Sequence, residues 1–182
     1  MNEEVTIATG ADMRVLGRRL ALLLRAGDLV ILSGPLGAGK TTLTQGIGDG
    51  LGVRGPVTSP TFVIARVHPQ LKPTQGLTAS GPTLVHADAY RLGSVLEMDD
   101  LDLDADTATS VTVVEWGEGL AEGLAADRLE ITIAPGPVPA EGALPDGDSP
   151  LEGDSPRTVT IAGIGKRWQG IQLPPADLAD RL

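Results

Sequence analysis

The sequence predicts an α/β fold with a three-layer arrangement, in which a largely parallel central sheet carries antiparallel strands at its edge. Short apolar runs that suit buried strands alternate along the chain with segments of helical periodicity, which is typical of this class. Two late segments, 129–133 and 158–162, alternate apolar and polar residues, and we expect them to form an antiparallel edge hairpin. With 182 residues, 41% of them hydrophobic, the chain is long enough to bury the core of one domain covering residues 1–182.

The N-terminal elements are a short strand at 5–8 and a helix after it. Thr9 offers an N-cap hydroxyl, and Asp12 follows three residues later, which indicates a capping box. Apolar residues then recur at helical spacing from Met13 to Leu24, and Gly27 ends the run. We therefore expect an amphipathic helix with its arginines on the solvent side.

The centre of the chain supplies the strands of the predicted parallel sheet. A buried strand at 28–33 precedes a helix over 40–51, which three glycines weaken by up to about 1 kcal/mol each relative to alanine. The remaining elements, in order, are a strand at 62–66 or 62–67, a loop at 68–82, a strand at 83–87, a short helix at 96–106, a strand at 111–114 and a short helix at 119–126. The carboxyl ends of parallel strands share one edge, so the strand ends near Ser33, Asp88 and Glu115 should converge.

One motif in this frame carries chemistry. Residues Gly34-Pro-Leu-Gly-Ala-Gly-Lys-Thr41 read G-x-x-x-x-G-K-T between a strand and a helix, which is the context of the phosphate-binding loop of P-loop NTPases. Its amides can point inward at a helix N-terminus, where anions are favoured. We therefore predict an ATP site with Mg²⁺, in which Lys40 reaches the β- and γ-phosphates and Thr41 binds the metal. The residues assigned to nucleotide binding are Gly34, Gly37, Ala38, Gly39, Lys40, Thr41 and Thr42.

Two acids at strand ends complete the predicted site. A P-loop needs a carboxylate on a neighbouring strand for Mg²⁺ or its water, and both Asp88 and Glu115 are candidates. Each could instead be a solvent-facing residue at the end of its strand. His86 shares a strand face with Asp88 and is interpreted as a structural histidine, while Trp116 should point to the face opposite Glu115. Residues 58–61, Thr-Ser-Pro-Thr, suit a nucleotide-sensing switch and a simple turn equally well.

Composition narrows the class of protein. A net charge of −10 and only 2% aromatic residues disfavour direct gripping of nucleic acid and stacking of bases. The absence of cysteine excludes disulfides and thiolate chemistry. No apolar run approaches the roughly 20 residues of a membrane span, so we expect a cytoplasmic protein without a membrane partner.

The order of these motifs resembles the TsaE (YjeE) family, small bacterial P-loop ATPases of tRNA threonylcarbamoyladenosine (t6A) biosynthesis. The resemblance runs from about Thr9 to Glu118. Its most specific parts are segments 58–62 (Thr-Ser-Pro-Thr-Phe), 86–92 (His-Ala-Asp-Ala-Tyr-Arg-Leu) and 114–118 (Val-Glu-Trp-Gly-Glu), in this order after the phosphate loop.

The resemblance implies roles and partners. It makes Lys40 and Thr41 the phosphate lysine and the Mg²⁺ threonine, Glu115 the second metal ligand, and Asp88 an acid needed for hydrolysis. Thr9 falls where the family's N-terminal segment approaches the nucleotide. The partners would be the TsaD and TsaB proteins, with tRNA met only indirectly through their complex, and the ATPase would support turnover of that complex.

Some features depart from the family or leave room for another function. Two insertions, at about 67–82 and 134–157, are rich in proline and glycine, and we expect them to be disordered. A small-molecule P-loop kinase is the alternative, although such an enzyme should carry an arginine-bearing lid and both insertions are poor in arginine. A GTPase-like module is disfavoured because the chain has no Asn-Lys-x-Asp segment.

Overall fold

The computed structural model of the chain describes residues 1–71, 81–92, 94, 97, 109–136 and 156–179. In these residues a seven-stranded sheet has the order β1-β7-β6-β2-β5-β4-β3. Its strands are β1 (Asn2–Ile7), β2 (Leu29–Ser33), β3 (Ala65–His68), β4 (Thr83–Asp88), β5 (Ser110–Glu115), β6 (Arg128–Pro135) and β7 (Arg157–Ile164).

The centre of the sheet is parallel and its two sides are antiparallel. Strands β6, β2, β5 and β4 run in one direction, while β1, β7 and β3 run against their neighbours. The prediction of a largely parallel sheet is therefore confirmed. The β6–β7 pair is antiparallel as predicted, but it is not the edge of the sheet, because β1 pairs along the outer side of β7 and β6 pairs with β2. Alternating apolar and polar residues identified the strands and carried no information on their neighbours.

Two helices cover one face of the sheet: α1 (Gly10–Ala21) and α2 (Lys40–Leu51). The predicted capping box is present, since Asp12 N donates to Thr9 Oγ1 at 3.1 Å and Thr9 N donates to Asp12 Oδ2 at 3.0 Å. Helix α1 ends at Ala21, several residues before the predicted stop at Gly27, because a turn follows in which Leu23 N and Leu24 N both bond to Leu20 O.

The glycines of α2 allow it to pack closely against α1. A Cβ atom on Gly46 would lie 2.8 Å from Arg14 Cα, and one on Gly50 would lie 2.6 Å from Ala21 Cβ. On the α1 side, a Cβ atom on Gly17 would lie 2.7 Å from Gly46 Cα. The low helix propensity of these glycines is thus offset by an approach of the two backbones that no larger residue would permit.

The sheet buries apolar side chains on both faces. The larger cluster joins α1 and α2 to the inward residues of six strands, including Val30, Leu84, Val113 and Ile131. A smaller cluster on the other face joins Ile31, Val85 and Val114 to the segment after β5. That segment contains a 3₁₀ helix at Glu122–Leu124 where we predicted a short helix over 119–126. Gly119 has a φ of 77°, which interrupts a regular helix at its start.

Other boundaries also differ from the sequence prediction. Strand β3 begins at Ala65 and not at Phe62, because Val63 N and Ile64 N both bond back to Pro60 O and form a turn. Both predicted insertions begin or end inside strands, since 67–68 belong to β3, 134–135 to β6 and 157 to β7. Their interiors, 72–80 and 137–155, lie outside the described residues, as does most of the helix predicted at 96–106.

The structure adds two further observations on the described part of the chain. A four-residue helix at Ala176–Ala179 lies beside α1. Among the described residues, no helix is both long enough and apolar enough to pass through a bilayer.

Candidate functional site

The carboxyl ends of the three central strands meet at one edge of the sheet, as the sequence predicted. In the parallel register, Glu115 on β5 pairs with Leu32 on β2 and with Asp88 on β4. The loop between β2 and α2 starts at Gly34, two residues after this level. The two predicted acids and the phosphate loop are therefore brought together by strand register alone.

The loop between β2 and α2 has the backbone that its glycines allow. Gly34, Gly37 and Gly39 have φ values of 138°, 77° and 107°, a region that residues with a side chain rarely adopt. A Cβ on Gly34 would also collide with the carbonyl of Ile133. Gly39 is the N-cap of α2, and no side chain in the described part of the chain caps this helix, so its first amides remain available to an anion.

Lys40 is folded back onto the loop. Its side chain is buried, with 4% of the residue exposed, and Nζ donates to Gly34 O at 2.7 Å and to Pro35 O at 2.9 Å. Nζ also lies 3.7 Å from the ring centroid of Trp116. Burial lowers the pKa of Lys40 below its ordinary value, and the negative charges of Glu115 and Asp88 oppose that shift. Because burial disfavours the charged form of Lys40, an anion bound beside Nζ would stabilise the cation.

Glu115 is held in a buried network that spans three elements. Its Oε1 accepts a hydrogen bond from Thr41 Oγ1 at 2.8 Å, at the start of α2. The same oxygen lies 2.8 Å from His86 Nε2 on β4. Both His86 and Glu115 are almost completely buried. The carboxylate is thus fixed against the hydroxyl that the sequence assigns to the metal.

Asp88 is also buried but is held by a different set of groups. Its Oδ1 accepts from Tyr90 N at 2.9 Å, and its Oδ2 accepts a short hydrogen bond from the Thr61 hydroxyl. Thr61 Oγ1 lies 2.7 Å from Ser59 Oγ. The segment interpreted as either a switch or a turn is therefore linked directly to one of the two acids.

An open cavity of ≈ 210 Å³ lies over these groups. Its lining consists of residues from the phosphate loop, the 59–61 turn and the two strand ends: Leu36, Gly37, Gly39, Lys40, Thr41, Thr42, Ser59, Thr61, Asp88, Glu115 and Trp116. A smaller cavity of ≈ 140 Å³ shares Leu36, Thr61, Asp88 and Trp116 with it and adds Tyr90. Trp116 has a φ of 59°, and its ring lies 5.2 Å from that of Tyr90.

Three predicted binding residues do not line the main cavity. Gly34 lines an adjoining cavity together with Trp116, and Ala38, within the loop, is buried. Thr9 is engaged with Asp12 in the cap of α1. One turn later, Met13 Cε would lie 3.4 Å from a Cβ on Gly39, so the start of α1 is near the loop. The nucleotide contact of Thr9 stays a prediction.

Sequence reasoning assigned His86 a structural role and missed its contact with Glu115. Alternation along β4 placed His86 on the same face as Asp88, but the partner depends on the register between β4 and β5. Trp116 packs against the face opposite Glu115, as predicted, and its unusual φ also brings the ring beside Lys40.

The donor set fits the group that the sequence implies. Thr41, Glu115 and Asp88 offer only oxygen ligands, and hard cations such as Mg²⁺ prefer oxygen. The uncapped start of α2 and the buried Lys40 suit phosphate oxygens. The arrangement can therefore accept a nucleoside triphosphate together with Mg²⁺.

Comparisons with known proteins agree on one family. Residues 7–138 match the family model of TsaE, described as threonylcarbamoyl adenosine biosynthesis protein TsaE. The chain is 59% identical over 157 residues to the tRNA threonylcarbamoyladenosine biosynthesis protein TsaE of Streptomyces coelicolor, covering 86% of this chain and 93% of that one. It is 31% identical over 159 residues to the protein of the same name from Bacillus subtilis, covering 87% and 84%.

A solved structure shares the fold. The crystal structure of Bacillus subtilis YdiB aligns with a TM-score of 0.65 and 25% sequence identity, covering 100% of this chain and 95% of that one. The α/β fold of P-loop NTPase type that the sequence predicted is thereby confirmed.

Proposed function

Because the chain belongs to the TsaE family, as its match over residues 7–138 shows, we propose that it is the ATP-binding and ATP-hydrolysing component of the t6A modification machinery. In this proposal it acts in the cytoplasm on a complex of the TsaD and TsaB proteins, supports turnover of that complex, and meets tRNA only through it. The observation that carries the proposal is the convergence of Lys40, Thr41, Glu115 and Asp88 on one cavity behind an uncapped helix start.

Binding is the first task of these groups. A triphosphate reaching the loop would offer Lys40 Nζ phosphate oxygens in place of the carbonyls of Gly34 and Pro35. The amides at the start of α2 would donate to the same anion. Both interactions favour a bound polyanion because neither the cation nor the amides are fully compensated by the protein.

The two acids have different roles in the proposed reaction. Mg²⁺ bound beside the phosphates would supply positive charge that neutralises the charge developing on them. Thr41 and Glu115 are the residues that would hold it, Thr41 through its hydroxyl oxygen and Glu115 through its carboxylate, directly or through water. Asp88, on the neighbouring strand end, would orient the water that attacks the phosphate.

The surface around the cavity supports a protein partner. Leu36 and Phe62 are 92% and 87% exposed, and Tyr90 is 65% exposed, all close to the cavity or in the turn beside it. Large apolar side chains gathered at the rim of one cavity indicate an interaction surface. A partner bound there would cover the site and displace bulk water while the attacking water stays beside Asp88, which would strengthen the electrostatic interactions with the phosphates and accelerate hydrolysis.

Steady-state phosphate release, measured with ATP and Mg²⁺ in the presence and absence of purified TsaD–TsaB, tests the proposal. We expect slow release by the chain alone and at least a tenfold rise, on the order of 1.4 kcal/mol in the barrier, with the complex. Lys40→Ala serves as the control and should bind no ATP by calorimetry, because both the cation and its hold on the loop are lost.

Two outcomes would contradict the proposal. Equal rates with and without the complex would remove the link to TsaD–TsaB. Transfer of phosphate to a metabolite in place of water would favour a small-molecule kinase. That alternative is the weaker one because of the family to which the chain belongs, and not because of the shape of the cavity.

A further inference from the structure

We propose that His86 is a positioning residue for Glu115: its imidazole fixes the carboxylate in the orientation that a metal ion bound by Thr41 and Glu115 requires. The inference deepens the proposed function and rests on it. His86 itself touches neither substrate nor metal in this proposal and acts only through Glu115.

The position of His86 in the sheet makes the contact possible. His86 is fully buried on β4 and pairs in register with Val113 on β5, two residues before Glu115. Neighbouring residues in register point to the same face of a sheet, so His86 and Glu115 both face α2. The ring therefore reaches the carboxylate from the strand that also carries Asp88.

The contact has a defined direction. An ionised carboxylate only accepts hydrogen bonds, so His86 Nε2 and Thr41 Oγ1 both donate to Glu115 Oε1, each at 2.8 Å. Within the described ranges, these are the hydrogen bonds to this carboxylate, and both end on Oε1. Oε2 is thereby left for a ligand in the cavity that Glu115 lines.

The other nitrogen of His86 argues against a purely structural role. Among the described residues, Nδ1 is buried without a hydrogen-bond partner. A buried polar atom without a partner is destabilising, and an apolar side chain of similar volume would avoid that cost. The bond to Glu115 is what the imidazole provides here and what leucine could not.

The arrangement holds Glu115 in place whether or not a metal is bound. A hydroxyl can donate one hydrogen bond and offer a lone pair at the same time, so Thr41 could turn an oxygen lone pair to a cation while still bonded to Glu115. His86 has no second role of this kind, and its only role in the proposal is to hold the Glu115 carboxylate. Groups that orient a metal ligand typically change metal affinity or activity by about 10–100-fold when removed.

Calorimetric titration of a non-hydrolysable ATP analogue over a series of Mg²⁺ concentrations tests this without hydrolysis. We expect His86→Leu to raise by about tenfold the Mg²⁺ concentration at which half of the gain in analogue affinity is reached. His86→Gln keeps a donor at similar reach, so its value should stay within about threefold of the wild-type value. Thr112→Val is the matched control, since Thr112 Oγ1 is also buried without a partner, on β5; it should leave the Mg²⁺ dependence unchanged. Thermal melts establish that each variant is folded.

Nitrogen-15 spectra of the imidazole in the wild-type protein give a second measurement that does not depend on a leucine variant folding. We expect the proton on Nε2 and a shift of the Nε2 signal in Glu115→Ala. A proton on Nδ1 alone, no shift in Glu115→Ala, or an unchanged Mg²⁺ dependence in folded His86→Leu would overturn the inference. Wild-type protein that binds the analogue with Mg²⁺ but never hydrolyses ATP would refute the proposed function and leave the positioning role standing.

Discussion

The two carboxylates at the edge of the sheet sit in contrasting surroundings, although they pair with each other in register. Glu115 is held by a helix start and a neighbouring strand, through the side chains of Thr41 and His86. Asp88 is held by Thr61, in a turn whose neighbouring residues Phe62 and Val63 are 87% and 53% exposed. Both acids are buried at the ends of core strands, but a side chain from a surface turn holds Asp88, while side chains from a helix and a strand of the core hold Glu115.

The turn beside Asp88 also contains local strain. Ile64 has a φ of 69°, which is a genuine outlier for a β-branched residue and costs on the order of 1–3 kcal/mol. Its carbonyl accepts a hydrogen bond from Asp88 N at 2.8 Å. The Glu115 carboxylate is therefore held by core elements, while the Asp88 carboxylate is tied to an exposed turn that contains backbone strain.

The largest effects should come from exchanging the two acids for their amides. Glu115→Gln should keep ATP affinity within about threefold, lower partner-stimulated hydrolysis by about 100-fold and weaken its Mg²⁺ dependence, because a neutral amide is a poor metal ligand. Asp88→Asn should lower hydrolysis by about tenfold with the Mg²⁺ dependence intact. Rates measured over a Mg²⁺ series separate the two. Normal hydrolysis by Glu115→Gln would make Asp88 the principal metal group and reverse the assignment.

A smaller effect should follow from trimming the exposed turn. Phe62→Ala removes a side chain that lies 5.8 Å from the Arg91 guanidinium and is otherwise open to solvent. We expect stimulation by TsaD–TsaB to fall by about threefold, with the unfolding free energy changed by less than about 0.5 kcal/mol.

Leu178→Ala is the matched control for Phe62→Ala, since Leu178 is 42% exposed in the C-terminal helix, away from the cavity. It should leave stimulation as in the wild type. A Phe62→Ala protein that responds fully to the complex would show that this turn does not contact the partner.

The smallest effect concerns His68, the buried end of β3 behind the exposed turn. Burial lowers the pKa of His68 from its ordinary 6.5, and the neighbouring His86 and Arg66 side chains lower it further. The unfolded chain therefore binds this proton more readily, so the stability contributed by neutral His68 is present above pH 6.5 and is lost as the pH falls below it. Urea unfolding at several pH values should show a shallower decline in His68→Gln. Parallel pH profiles for the two proteins would contradict the assignment.

Sequence patterns predicted the parts of the site that are local in the chain. The phosphate loop is contiguous in the chain, so the spacing of its glycines, Lys40 and Thr41 fixes their relative positions without contacts from distant segments. Asp88 and Glu115 could be located because each follows a short apolar run, and parallel strands end on one edge. The boundaries of β3 and of the 3₁₀ helix after β5 were missed, because turn hydrogen bonds at Pro60 and the φ of Gly119 override the apolar pattern there.

By itself the sequence predicted a phosphate-binding loop between a buried strand and a helix, because the spacing of its glycines and lysine is a covalent property. Tertiary structure alone decided which groups surround each acid. His86 reaches Glu115 through the β4–β5 register, and Trp116 reaches Lys40 through an unusual backbone turn. The glycines of α2 are unfavourable for an isolated helix, and the close packing of α2 against α1 explains why they are present. Contacts between segments distant in the chain depend on strand order and register, and apolar periodicity leaves both open.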